Sequence, residues 1–318
     1  MRVLVTGGAG CIGSWCVKAL VSQAVDVVVY DKHPSPQNLA HISSASEVAK
    51  VHYIAGQIED TARVKALVKD EGITHILHLA AVLIPYSQAN PVNAALINVI
   101  GTLNVFEAAR DAGRPVRVVY ASSSSVMGPD DSHDSAPEDD DDHAHPGTHY
   151  GVFKMANEGN ARVFYAANGI SSVGLRPWIV YGVGRDAGLT AGPTLAMKAV
   201  VKGEPYRIGV TGYMDFQYVA DVAEIFNRCL LETFTGAHVY NLAGDIVRID
   251  DFIKKLAVLR PGAEKLITFA GSKVPIAYQM DAAALAKMFP GLKRTPLEEG
   301  MRETLEIYER LKTEGQLN

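Results

Sequence analysis

Across the first 175 positions, apolar residues fall into short continuous runs separated by stretches where they recur at helical spacing. Val3-Leu4-Val5 is the first run, and a glycine-rich turn from Gly7 to Gly13 follows it. Residues 14–22 then carry apolar side chains three and four apart, the period of a helix that buries one face. Residues 25–30 form the next run. The alternation continues with strands at 51–54, 75–79, 117–121 and 172–175, and with helices over about 61–70, 91–112 and 150–168. Strands without polar alternation suit a sheet covered on both faces. Strands alternating with helices predict βαβ units and a mainly parallel sheet. Beyond Arg176-Pro177 the rhythm weakens. Gly, Pro and Thr punctuate 182–193, and helices are expected at 195–202, 250–259 and 296–311, with a strand at 239–242.

The turn after the first strand reads Thr6-Gly7-Gly8-Ala9-Gly10-Cys11-Ile12-Gly13 and opens the first helix. Glycines at this spacing permit a tight turn, let a pyrophosphate approach the backbone, and let helix and strand pack closely. A helix N-terminus at that point offers unpaired N–H groups to phosphates. Asp31 closes the second strand, where a carboxylate accepts hydrogen bonds from adenosine ribose hydroxyls and repels a 2′-phosphate. NAD is therefore the expected cofactor, although the neighbouring Lys32 could tolerate the extra phosphate of NADP. The fold class expected is α/β, a Rossmann doubly wound parallel sheet with a smaller mixed C-terminal substrate domain. Residues 1–175 would be the NAD-binding domain, with about 213–243 returning to it, and 176–318 mainly the substrate-binding domain.

Bulk composition narrows the partners. The 318 residues, 48% hydrophobic, suffice for a substantial core. A net charge of −5 leaves no basic footprint for nucleic acid or an anionic membrane surface. No apolar run approaches the roughly 18–20 residues of a membrane span, and the chain enters its first strand at Arg2, so neither a span nor a signal peptide is expected. Three cysteines, Cys11, Cys16 and Cys229, form no CxxC pair, which suits a reducing cytosol. Residues 130–145 are dense in Asp and His without fixed ligand spacing, so a solvated loop is expected there and no metal.

Tyr150 and Lys154 stand four apart at the start of a predicted helix, hence on one face. Taking a hydroxyl proton near neutral pH needs a phenol whose pKa, ordinarily near 10, is lowered. A lysine ammonium together with the cationic nicotinamide can do that. Upstream, Ala121-Ser122-Ser123-Ser124-Ser125-Val126-Met127-Gly128 follows a buried strand. One of its hydroxyls could polarise a substrate oxygen.

Together these segments resemble the extended short-chain dehydrogenase/reductase family, its NAD-dependent epimerase/dehydratase group. The resemblance covers most of the chain. It rests on the glycine loop, His78-Leu79-Ala80-Ala81, Asn98 to Thr102, the serine segment, Tyr150 to Lys154, Leu175-Arg176-Pro177, and Tyr218 to Val222. It implies Ser123 as the catalytic hydroxyl, Tyr150 as acid/base, and Lys154 as the group that binds the nicotinamide ribose and tunes Tyr150. It further implies a cofactor site formed by Gly7, Gly10, Cys11, Ile12, Gly13, Asp31, Lys32, Gln57, Ile58, Leu79, Ala80, Ala81, Asn98, Ala121 and Pro177. Dimerisation through the helices at 91–112 and 150–168 is also implied, giving a homodimer.

Departures from the group's patterns bear on the reaction. Ser124-Ser125 stand where 4,6-dehydratases carry Asp-Glu, so elimination lacks its acid/base pair. Met214 precedes Asp215 where nucleotide-sugar epimerases usually carry an arginine, and 272–280 offers only Lys273. A diphosphate favours bidentate arginine, so a substrate without a nucleotide is indicated unless Arg185 or Arg207 substitutes. The expected substrate wall is Val82, Leu83, Ile84, Ser124, Ser125, Trp178 and the loop 184–190, with Arg185 a candidate anchor for a carboxylate or a polar hydroxyl group and Trp178 more often a core residue than a substrate platform. The reading is an NAD-dependent oxidoreductase acting on a secondary alcohol or ketone of a small polar molecule such as a sugar or sugar acid. The alternative is a sugar epimerase that keeps its NAD.

Overall fold

The computed structural model describes residues 1–129, 140 and 144–317. Seven parallel strands form the main sheet: β1 (Arg2–Thr6), β2 (Asp26–Asp31), β3 (His52–Ala55), β4 (His75–His78), β5 (Arg117–Ala121), β6 (Ser172–Arg176) and β10 (Ala237–Asn241), in the order β10-β6-β5-β4-β1-β2-β3. Val3 to Val5 and Val27 to Val29 are completely buried, as both-face coverage requires. The chain winds one way from β1 to β3 and the other way from β4 onward. The crevice outside the C-terminal ends of β1 and β4 is thus the switch point where open α/β sheets bind ligands.

Helices Cys11–Ser22, Thr61–Asp70, His149–Asn168 and Val219–Leu231 flank the sheet, and the first packs on the last. There Asn227 Nδ2 donates to the Cys16 carbonyl at 3.1 Å. The smaller part comprises a three-stranded sheet ordered β11-β9-β7, from Asp245–Arg248, Tyr213–Tyr218 and Ile179–Tyr181, and a parallel pair of β12 (Ile267–Lys273) with β8 (Tyr206–Thr211). Of the segment 213–243, strand β9 joins this small sheet, whereas helix Val219–Leu231 and β10 lie with the large one.

One expectation needs correction. Helix Pro91–Asp111, 21 residues, is by length and composition alone long and apolar enough to cross a membrane. Single polar residues interrupt its apolar run in sequence, but a helix averages them over its length. Half of its most apolar stretch is buried in the protein, and three of its polar side chains face inward partners. Asn98 bonds Val82, Thr102 bonds His78, and Asn104 bonds the Ile58 carbonyl. The helix passes through a π-helical turn at Leu96–Ile100.

His78 at the end of β4 shows how the interior treats such groups. One ring nitrogen meets Thr6 Oγ1 at 2.7 Å and the other Thr102 Oγ1 at 3.0 Å. Burial, with the Lys154 charge nearby, pushes its pKa down to about 3. A depressed folded-state value means neutral His78 stabilises the fold above the ordinary His range. That stability is lost as the pH falls from about 6.5 towards 3. His78→Gln should therefore remove about 2 kcal/mol of the wild-type loss in stability between pH 7 and pH 5. Urea unfolding of both proteins at the two pH values measures this, and an equal loss in both would refute it.

Candidate active site

Directly beyond β1, Gly7 adopts φ +70° and donates its N–H to the Tyr30 carbonyl at 2.9 Å. A Cβ on Gly7 would lie 2.7 Å from the Ala80 nitrogen, and one on Gly13 only 2.4 Å from the Gly7 carbonyl oxygen. Neither position admits a larger residue. Helix Cys11–Ser22 starts at Gly10 with no side-chain cap and no acidic residue in its first turn, so its leading N–H groups have no side-chain acceptor. Gly7, Gly10, Cys11, Ile12 and Gly13 all line the main cleft. Small residues, uncapped N–H groups and a partial positive charge fit a dinucleotide pyrophosphate. Asp31 lies at the end of β2, its carboxylate accepting from Ala9 N–H at 3.3 Å and His33 N–H at 3.0 Å. Lys32 beside it is exposed.

Other expected cofactor residues divide into two groups. Leu79, Ala81, Ala121 and Pro177 line the cleft, while Ala80 packs behind Gly7. Asn98 is buried, and its amide brackets the Val82 backbone, accepting at 2.8 Å and donating at 2.9 Å; it positions the loop after β4. Gln57 is exposed and its carbonyl accepts from the Tyr30 hydroxyl at 3.0 Å. Ile58 is buried against Gly101.

The serine segment and the first turn of helix His149–Asn168 meet on the opposite wall. Thr148 caps that helix, accepting from Gly151 N–H at 3.1 Å, and Gly151 passes so near the Ser125 carbonyl that a Cβ would lie 2.3 Å from it. This contact sets Tyr150 beside Ser123, whose hydroxyl favours the ionised phenol. Lys154 is buried, its Nζ donating to the Ala121 carbonyl at 2.5 Å and lying 5.5 Å from the Tyr150 ring centre. The protein by itself does not lower the phenol. Burial pushes Tyr150 up to about 12, opposed by the Arg185 guanidinium and the Ser123 hydrogen bond. Burial likewise pushes Lys154 down to about 8. In the protein alone, Tyr150 is a phenol at neutral pH, and a further cation is needed to make it a base.

The cleft occupies about 1100 Å³ including its mouth. Beyond Ser123 its walls are Leu83, Ile84, Ser124, Trp178 and the loop Gly188-Leu189-Thr190, as expected, together with Val180 and Ile276. Val82 and Ser125 are not on this wall: Val82 is bracketed by Asn98, and Ser125 is buried behind Ser123. Trp178 serves both roles, since it is buried, donates Nε1 to the Ala277 carbonyl at 2.6 Å, and lines the cleft. Val180 and Ile276 carried no signal, because an apolar residue on a short strand or loop is indistinguishable in sequence from core. Asn38, which holds the glycine loop by donating to the Ala9 carbonyl at 2.9 Å, was equally silent.

Arg185 projects into the cleft, donating Nη2 to Thr190 Oγ1 at 3.2 Å. Its buried Nε has no partner among the described residues. Lys154 and Arg185 are the only Lys or Arg side chains on the cleft wall among those residues. Met214 is wholly buried in the core. Among the described residues no three His, Cys, Asp or Glu side chains come together as metal ligands. Most of the 130–145 segment lies outside the described residues.

Comparison with known proteins agrees with this geometry. The family model described as the NAD dependent epimerase/dehydratase family matches residues 3–243. UDP-glucuronate 4-epimerase 6 of Arabidopsis thaliana is 28% identical over 277 residues, covering 86% of this chain and 54% of that protein. The chain thus spans about half the length of such curated relatives. The UDP-glucose 4-epimerase of Thermus thermophilus, solved with NAD, superposes with a TM-score of 0.81 at 27% identity, covering 97% of this chain and 99% of that one. MoeE5, solved with UDP-glucuronic acid and NAD, gives 0.81 at 29% identity with 98% and 99% covered. On the match of residues 3–243 and the geometry they build, the chain belongs to the NAD-dependent epimerase/dehydratase family.

Proposed function

We propose that the protein is an NAD-dependent sugar epimerase that oxidises one carbinol carbon to a ketone and returns the hydride to the opposite face. The observation that carries this is the meeting of Ser123, Tyr150 and Lys154 across one cleft from an uncapped, glycine-walled helix N-terminus. Gly7, Gly10, Cys11, Ile12 and Gly13 would hold the pyrophosphate, Asp31 the adenosine ribose, and Lys154 the nicotinamide ribose. NAD, when bound, supplies the hydride acceptor and a positive charge. Tyr150 takes the hydroxyl proton, Ser123 donates a hydrogen bond to the substrate oxygen, and Lys154 favours the phenolate. The names of the relatives support epimerisation over the freely exchanging dehydrogenase. Ser124-Ser125 lack the acids of a dehydratase.

Arg185 is proposed as the anchor for a substrate carboxylate, which a planar guanidinium binds in bidentate fashion. A sugar acid is the substrate class this favours, in keeping with the UDP-glucuronic acid bound by MoeE5. A second reading, a dehydrogenase acting on a sugar acid without a nucleotide, is favoured by one observation. With Lys154 committed to Ala121, Arg185 is the one remaining cation on the wall among the described residues, whereas a diphosphate brings about two charges to be paired. In either case the large-sheet unit would bind the cofactor and the C-terminal segments the substrate.

We further propose a homodimer in a reducing cytosol. Val92, Leu96 and Ile100 recur every four residues on helix Pro91–Asp111, and Val152, Met155 and Val163 continue the exposed apolar surface on the adjoining helix. A second copy would cover both in a four-helix contact. The three cysteines are unpaired.

Two outcomes are expected. Denatured wild-type protein should release close to one NAD per chain by chromatography, and Tyr150→Phe should release as much while losing at least about 100-fold in turnover. An empty site that binds added NAD would favour the dehydrogenase, and retained turnover in Tyr150→Phe would remove the tyrosine from the mechanism. Light scattering should give a dimer mass for the wild type and a monomer for Leu96→Arg/Met155→Arg; a monomeric wild type refutes the dimer.

A further inference from the structure

Helix His149–Asn168 carries a third polar side chain in line with Tyr150 and Lys154. Glu158 stands four residues beyond Lys154, one helical turn deeper, and is only 3% exposed. Its carboxylate binds the ends of two strands. Arg176, closing β6, donates Nε and Nη2 to it, each at 2.8 Å. Ser122, just beyond β5, donates its hydroxyl at 2.5 Å. Arg176 also donates Nη1 to Asn241 Oδ1 and the Asp140 carbonyl, and the Glu158 charge acts on Lys154.

A buried ion pair is weak evidence of stability, since apolar residues of similar volume often hold such a position as well or better. The Ser122 bond points elsewhere. Ser122 lies between Ala121, whose carbonyl receives the Lys154 ammonium, and Ser123, whose hydroxyl bears on Tyr150. We propose that Glu158 is a positioning residue for the Tyr150–Lys154 pair: its buried carboxylate keeps Lys154 in the ammonium form and, through Ser122, fixes the carbonyl on which that ammonium rests.

Each group facing Lys154 supports this assignment. Its own helix presents Tyr150 and Glu158. β4 presents His78, held neutral between two threonines. β5 presents the Ala121 carbonyl, and Arg176 of β6 is bound to the Glu158 carboxylate. Arg185, from the loop after β7, acts on Tyr150. Glu158 is the one carboxylate in this set, and it opposes the fall that burial imposes on the ammonium.

The proposal rests on the Tyr–Lys reading above, yet its test needs no substrate. In lysine-labelled protein, NMR of the side-chain nitrogen, assigned by its absence in Lys154→Met, follows the Lys154 deprotonation midpoint. Glu158→Gln removes the charge and keeps an acceptor for Ser122 or Arg176. The midpoint should fall by about one pH unit or more, and Glu158→Asp should restore part of it. An unmoved midpoint in folded Glu158→Gln, with only a lower melting temperature, would overturn the proposal. Should the single variant fail to fold, Glu158→Gln/Arg176→Met removes both charges together, and a fall, smaller because a cation leaves with the anion, is required. Turnover retained by Tyr150→Phe would refute the catalytic reading alone and leave this midpoint to judge Glu158.

Discussion

The Glu158–Arg176 pair is the contact on which the site's geometry depends. It joins the end of β6, the end of β5 through Ser122, and the middle of helix His149–Asn168, deep in the protein at 2.8 Å. Removing one partner would leave a charge in a medium that solvates it poorly. With the close approach of Gly151 to Ser125, the pair sets the catalytic wall of the cleft. Ser123 lies one residue beyond Ser122, and Lys154 and Tyr150 lie one and two helical turns before Glu158.

The cofactor wall depends on a different constraint, the want of space. β1 and β4 are neighbours in the sheet, and the loops that leave them touch at Gly7 and Ala80. Glycines let the turn close without clash, and the helix that follows begins with no side-chain cap. A phosphate-sized, electropositive notch results from packing and backbone geometry, without any cationic side chain in the turn.

Between the walls, burial works against ionisation. It raises the phenol and lowers the ammonium, and the two effects are opposed by neighbouring groups: Arg185 and the Ser123 hydroxyl for Tyr150, Glu158 for Lys154. A dry cleft strengthens such interactions, so the cationic ring of a bound nicotinamide would bear strongly on Tyr150. The apolar lining of Leu83, Ile84, Val180 and Ile276 is thus part of the electrostatics as well as of the shape.

Local patterns in the chain determined the βαβ rhythm, the glycine turn, Asp31 and the Tyr150–Lys154 spacing, because each is set by residues within one turn, strand or helix. Helix His149–Asn168 and strand Arg117–Ala121 lie where apolar spacing placed them. Strands β7, β8, β9, β11 and β12 were not legible: they form small sheets after the point where the alternation of strand and helix breaks down. Only the tertiary structure decided that Asn98 braces Val82, that Val180 and Ile276 line the cleft, that Ser125 turns inward, and that Tyr150 sits where its phenol is raised. The physical reason is common to all four. Burial, cavity shape and pKa are properties of what surrounds a group in space, and the neighbours concerned come from segments that sequence periodicity cannot bring together.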